Sequence, residues 1–139
     1  MSTLDPTQVA TFKARLQARR QQLADEIRRV QDERIDTPAA SMQGTSNPDD
    51  PAGDQADQAE RRTRQAVRGA EAARDAAELR DIEAALDRIA AGTYGECIDC
   101  AAAIAVRRLD VQPAAARCLP CQELYEKAHP ADQRTVAWP

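Results

Sequence analysis

The sequence predicts an all-α protein: a long antiparallel coiled-coil hairpin, then a small four-cysteine zinc finger with a short final helix. Three observations carry that expectation. Two long stretches rich in Ala, Glu, Arg and Leu repeat apolar residues at helical spacing. A run of prolines, glycines and small polar residues separates them. Two Cys-x-x-Cys pairs follow, at Cys97, Cys100, Cys118 and Cys121.

Composition agrees with this reading. The 139 residues are 30% charged and 3% aromatic. Large apolar side chains are too few for a thick globular core, and the Ala-Glu-Arg-Leu bias belongs to long helices. Net charge is −4 with acids and bases interspersed. No basic stripe tracks a phosphate backbone, so sequence-specific DNA contact is not expected. No apolar run approaches the ~18 residues of a membrane span. The opening "MSTLDPTQVA" lacks the basic and apolar regions of a signal peptide. The expected setting is the reducing cytoplasm, where four cysteines suggest metal rather than disulfides.

The first helix opens on a full set of start signals. Asp5 can cap, Pro6 suits the first helical position, and Gln8 completes a capping box. Leu4 and Val9 stand where a hydrophobic staple would join. Val9, Leu16, Leu23 and Val30 recur every seven residues, with Phe12 and Ile27 beside them. That is the narrow seam of a coiled coil. The pattern stops at Ile35 because Pro38 disfavours helix at Thr37.

Residues 36–53, "DTPAASMQGTSNPDDPAG", read as the tip loop. A second helix is expected from Asp54 to Ala91, with Gly92 as its stop. Leu79, Ile82, Leu86 and Ile89 form its seam. Before Leu79 the seam is mostly alanine, at Ala59, Ala66, Ala70, Ala73 and Ala77, with Val67 the only larger residue. Folded antiparallel, Val9, Phe12 and Leu16 meet the Leu79–Ile89 seam, while Ile27 and Val30 face small residues. The organisation expected is a hairpin over 1–91, a finger over 92–128 and a tail over 129–139, in a monomer.

The spacing C-x2-C-x17-C-x2-C suits a zinc site. Each pair can form a knuckle, and together they supply a closed tetrahedron of thiolates around one structural Zn2+. Arg107, Arg108 and Arg117 either offset the negative charge of that centre or form a solvated surface. Ala101 stands where glycine would ease the second half of a knuckle. Pro120 is placed to start the final helix. His129 is expected to be exposed rather than a fifth ligand. Trp138 either docks on this end of the chain or on a partner.

"GDQADQAE", residues 53–60, places Asp54 and Asp57 at the predicted start of the second helix. Carboxylates there satisfy free amides and suit the helix dipole. The same acids at a narrow hairpin tip are also suited to contacting a partner. Arg61, Arg62, Arg64 and Arg68, which follow, either touch that partner or form solvated faces paired with Glu60 or Glu71.

"YGECIDC", "IAVRRLDVQP" and "CLPC", preceded by a helical hairpin bearing D-x-x-D-x-A, resemble the DksA/TraR family of bacterial transcription regulators. The resemblance spans Leu4 to about Ala128. It implies a hairpin that enters the secondary channel of RNA polymerase, a tip of Asp54, Asp57 and Ala59, and zinc on the four cysteines. It implies a regulator rather than an enzyme, acting on open-complex stability. Alarmone-responsive members carry basic residues where this chain has Asp81, Gln112 and Gln122, with Arg74 the basic match. Those replacements remove what should hold the charges of guanosine tetraphosphate, so joint action with it is not expected.

Two other classes compete. A zinc-finger adaptor could bind nucleic acid or another protein, against which stand the acidic charge and the lack of aromatics near the finger for base stacking. A thiol redox protein could use the Cys-x-x-Cys pairs, but zinc-bound thiolates are sequestered. Neither explains so long a hairpin.

Overall fold

The computed structural model describes residues 4–36 and 51–130, with side chains described for 4–33 and 55–130. Among the described residues four helices follow in order: α1 (Pro6–Asp36), α2 (Pro51–Ala91), α3 (Val106–Val111) and α4 (Leu119–Ala128). An isolated antiparallel bridge joins Glu96 to Ala103. The fold is all-α, with α1 and α2 as the arms of the antiparallel hairpin and the cysteine finger after it.

Each long helix is bounded by local chemistry. At the start of α1 the Gln8 amide donates to Asp5 Oδ1 at 2.7 Å, and the Asp5 amide donates to Gln8 Oε1 at 3.1 Å. That is the reciprocal capping box the sequence predicts. At the end of α2, Gly92 has φ 79°. The Thr93 amide donates to the Arg88 carbonyl at 2.9 Å and the Gly92 amide to the Ile89 carbonyl at 3.2 Å. This pair of bonds is a Schellman stop, which needs a left-handed residue at Gly92. Arg88 lies in the last turn, where a cation suits the helix dipole.

The start of α2 differs from expectation. The helix begins at Pro51, so Asp54 lies in its first turn and is not its N-cap. A proline at the first position has its φ already helical and loses no hydrogen bond there. The fourteen residues 37–50 lie outside the described ones.

The chain divides into two compact units, Met1–Gln21 with Leu79–Pro139, and Gln22–Glu78. The first holds most of the core. Leu16, Ile82, Ala85 and Leu109 are wholly buried, and Phe12, Tyr94, Cys97 and Ile104 nearly so. The Phe12 and Tyr94 rings meet with centroids 6.0 Å apart. The buried Tyr94 hydroxyl donates to the Pro113 carbonyl at 2.7 Å. Arg15 reaches from α1 to donate to the Asp110 carbonyl at 2.9 Å. The first turns of α1 are thereby tied to the finger as well as to α2.

Within this unit the predicted α2 seam is rotated. Ile82 is central as expected, but Ala85 is fully buried while Leu79, Leu86 and Ile89 are half-buried. A two-helix seam predicts Leu86. Here Tyr94, Ile104, Leu109 and Pro113 of the finger share the core, so three elements rather than two decide which face is covered.

In the second unit Leu23 and Ala77 are buried, and Ile27 and Val30 half-buried. The predicted alanine seam does not hold. Ala59, Ala66, Ala70 and Ala73 are exposed, Val67 is 51% exposed, and Ala72 and Ala76 are the half-buried ones. Every side chain from Gln55 to Glu71 is exposed. A single methyl buries little apolar area, and α1 ends at Asp36 while α2 runs for 41 residues.

Candidate functional site

The finger begins where α2 stops. Thr93 to Glu96 forms a turn closed by the Glu96 amide on the Thr93 carbonyl at 3.2 Å, with Gly95 at φ 87°. The first knuckle follows at once. Its Cys97 amide donates to the Ala102 carbonyl at 2.8 Å and its Ala101 amide to the Cys97 carbonyl at 2.9 Å. Ala101 adopts φ 62°, the left-handed conformation that favours glycine. The second knuckle leads into α4, with Cys118 as the residue before the helix and Pro120 in its first turn.

Two contacts join the knuckles. The Ile98 amide donates to the Ala116 carbonyl at 2.9 Å. The Arg117 guanidinium donates to Asp99 Oδ2 at 2.8 Å and lies 4.0 Å over the Tyr125 ring. Asp99 sits between the first two cysteines and Arg117 immediately before the third, so this pair fixes the separation of the knuckles. Arg108 in turn donates to the Arg117 carbonyl at 3.0 Å. Of the three arginines in this segment, Arg107 alone is exposed. The segment itself is not a plain loop, since it contains α3, a helix of 6 residues. So short an element has too few positions to show a period in the sequence.

The four sulfurs of Cys97, Cys100, Cys118 and Cys121 all lie within 4.8 Å of one another. Cys100 Sγ and Cys118 Sγ are 3.6 Å apart. Tetrahedral zinc with Zn–S bonds of about 2.3 Å requires sulfurs about 3.8 Å apart. The cluster is therefore close to the size that Zn2+ needs, and four protein ligands make the site structural. All four cysteines are free of disulfides.

The electrostatics of the thiols favour a cation. Burial raises the Cys97 thiol, but donation from the backbone amides of Cys118, Cys100 and Asp99 outweighs it and brings the pKa to about 6. The neighbouring sulfurs, Cys118 first, push Cys121 upward. For Cys100 the Ala102 backbone works downward, yet the Cys97 and Cys118 sulfurs prevail and raise it. Thiolates so close repel one another, and a dication removes that obstacle. Zinc binding here displaces the thiol protons.

His129 is exposed, as expected, and is not in the cluster. Its ring stacks on Tyr125 with centroids 4.3 Å apart, and its amide donates to the Tyr125 carbonyl at 2.9 Å, closing α4.

The acidic residues expected at the tip belong to the other unit, Gln22–Glu78. Asp57 and Ala59 are exposed residues within α2, and Asp54 lies in its first turn with its side chain outside the described residues. The arginines that follow are also exposed. Arg64 pairs with Glu60 at 3.6 Å, a solvated contact of small energetic weight. Trp138 lies outside the described residues. Among the described residues no helix is long and apolar enough to cross a membrane.

Comparison with known proteins adds to this geometry. Residues 92–127 match the prokaryotic dksA/traR C4-type zinc finger. The structure resembles that of transcription factor DksA2 from Pseudomonas aeruginosa, with a TM-score of 0.66 and 27% sequence identity, covering 91% of this chain and 88% of that one. No curated protein sequence matches the chain. A C4 cluster of zinc-binding geometry, a helical hairpin before it and these two likenesses agree: residues 92–127 are a zinc finger of the dksA/traR C4 type, carried on a DksA-like fold.

Proposed function

We propose that this chain regulates transcription by binding RNA polymerase directly, its hairpin tip entering the secondary channel and altering open-complex stability. The observation that carries this reading is the D-x-x-D-x-A motif on α2. Asp57 and Ala59 belong to a stretch in which every described side chain from Gln55 to Glu71 is exposed. Nothing in the core requires a carboxylate there, so its chemistry is available to a partner.

Asp57 accepts charge-assisted hydrogen bonds from polymerase groups, which are stronger than neutral ones. Such contacts shift the polymerase between states only to the extent that they differ between those states. Ala59 keeps the motif slender. The zinc finger supplies a rigid end and takes no part in chemistry.

The test pairs binding with activity. Purified polymerase should bind the protein in competition with another secondary-channel protein. Asp57→Asn should reduce the effect on open-complex lifetime several-fold while leaving the melting temperature and most of the binding intact. Ala59→Thr should impair activity through added bulk. Activity that falls only in step with melting temperature would show the motif to be a helix start and nothing more.

A further inference from the structure

The two halves of the zinc site are rooted unequally. The first knuckle grows out of the core, with Tyr94, Cys97 and Ile104 buried around it and Glu96 bridged to Ala103. The second knuckle has no such footing, since no residue from Ala114 to Pro130 is buried. Apolar burial therefore contributes little to holding Cys118 and Cys121 in place. Each knuckle supplies only two of the four sulfurs, so zinc stays bound only while the knuckles stay together.

The side chain that spans them is Arg117. Its guanidinium donates to Asp99 Oδ2 at 2.8 Å and lies 4.0 Å over the Tyr125 ring. Asp99 belongs to the first knuckle, Arg117 borders the second, and Tyr125 stands on α4. One planar group thus touches all three. Its carbonyl accepts from Arg108 Nε at 3.0 Å, which ties the same residue to α3. An exposed ion pair contributes little, because two long side chains must be held still. Here the Arg117 side chain is only 21% exposed, and the ring and the carboxylate fix it from two sides.

We propose that Arg117 is a positioning residue for the metal: with Asp99 it holds the second knuckle against the first and so sets how tightly the finger retains zinc. Thiolates repel one another once the ion leaves, and the Asp99–Arg117 pair opposes their separation. It keeps the ligands near their binding positions, which lowers the cost of ordering them when zinc returns.

Bracing and plain charge predict opposite signs at Asp99. A centre of four thiolates around one dication is negative, so a neighbouring cation favours it and a neighbouring anion opposes it. On charge alone, Arg117→Gln weakens zinc binding and Asp99→Asn tightens it. With the pair as a brace, both weaken it.

The experiment is competition between the full-length protein and a chromophoric zinc chelator, with the rate of zinc loss followed in parallel. Each single variant should lose about tenfold in affinity, the lower end of the range for groups that orient metal ligands, through faster release. The double variant should be no weaker than either single one, because the two side chains act as one unit. A cobalt-loaded spectrum of tetrahedral thiolate type checks that each variant keeps the four-sulfur site, and none of these readings involves polymerase. If Arg117→Gln fails to fold, Asp99→Asn decides alone, since it leaves Arg117 in place over Tyr125. Unchanged affinity in the single variants overturns the proposal. So does tighter binding by Asp99→Asn, which makes charge the whole effect. Additive losses in the double variant overturn it equally, because the two side chains then act separately.

Discussion

Ala101 is the one described non-glycine residue with positive φ, at 62°, and it stands just after the second cysteine of the first knuckle. A Cβ in that conformation costs about 1–2 kcal/mol. Ala101→Gly should therefore stabilise the finger by up to about 1 kcal/mol, the gain being reduced by the greater freedom of glycine in the unfolded chain. Denaturant titration of the zinc-loaded protein measures it. Tyr94 is a second informative residue. Burial holds its hydroxyl pKa above the usual tyrosine value, so the fold favours the neutral form. That contribution is whole below about pH 10 and is lost as pH rises through the elevated folded value. Tyr94→Phe should cost about 1–2 kcal/mol at neutral pH by leaving the buried Pro113 carbonyl without its donor. It should also lose less stability than the wild type in the alkaline range. Melting temperatures of the two proteins across that range make the comparison.

The long helices are unequal in what they bury along their length. Leu16 on α1 and Ile82 on α2 are wholly enclosed, whereas Val67 on α2 is half open to water. Leu16→Ala should cost about 2–5 kcal/mol, the range for enclosed large-to-small changes. Val67→Ala should stay within about 0.5 kcal/mol, as for other surface positions. Chemical denaturation separates the two. Equal costs would mean that the exposed stretch of α2 is covered in solution. The ends of these helices were legible because capping is local. Asp5 with Gln8, and Gly92 after Ala91, act within a turn of themselves. The beginning of α2 was less so. Pro51 and Asp54 both carry start signals, and the choice between them depends on residues that precede them as well as on the pair itself.

For the molecule as a whole, zinc should matter most to the unit that the finger shares with Met1–Gln21 and the end of α2, and least to Gln22–Glu78. Zinc binding organises the segment from Gly92 to Ala128, where a small element has too little core to hold itself. The helices of 31 and 41 residues also pass through the second unit, Gln22–Glu78, which holds no residue of the finger. Cys118→Ser or chelation should therefore reduce far-UV circular dichroism only in part, while exposing the remaining thiols to titration. Complete loss of helix would mean that the finger nucleates the whole fold. Acidification should act in the same direction, because protons compete with zinc for the thiolates.

The sequence by itself determined the all-α class, the two arms, the capping box, the glycine stop and the zinc ligands. Each of these rests on residues close together in the chain or on a spacing that favours one site. The four cysteines are two local pairs, and their chemistry makes them seek a common ion. Only the tertiary structure decided that Ala85 rather than Leu86 is enclosed, because the finger packs into the core with α1 and α2. It also placed Arg117 on Asp99, binding one knuckle to the other, and Arg15 on the Asp110 carbonyl, 95 residues away. Burial and bracing of this kind depend on which surfaces meet, and a helical period cannot state which neighbour will cover it.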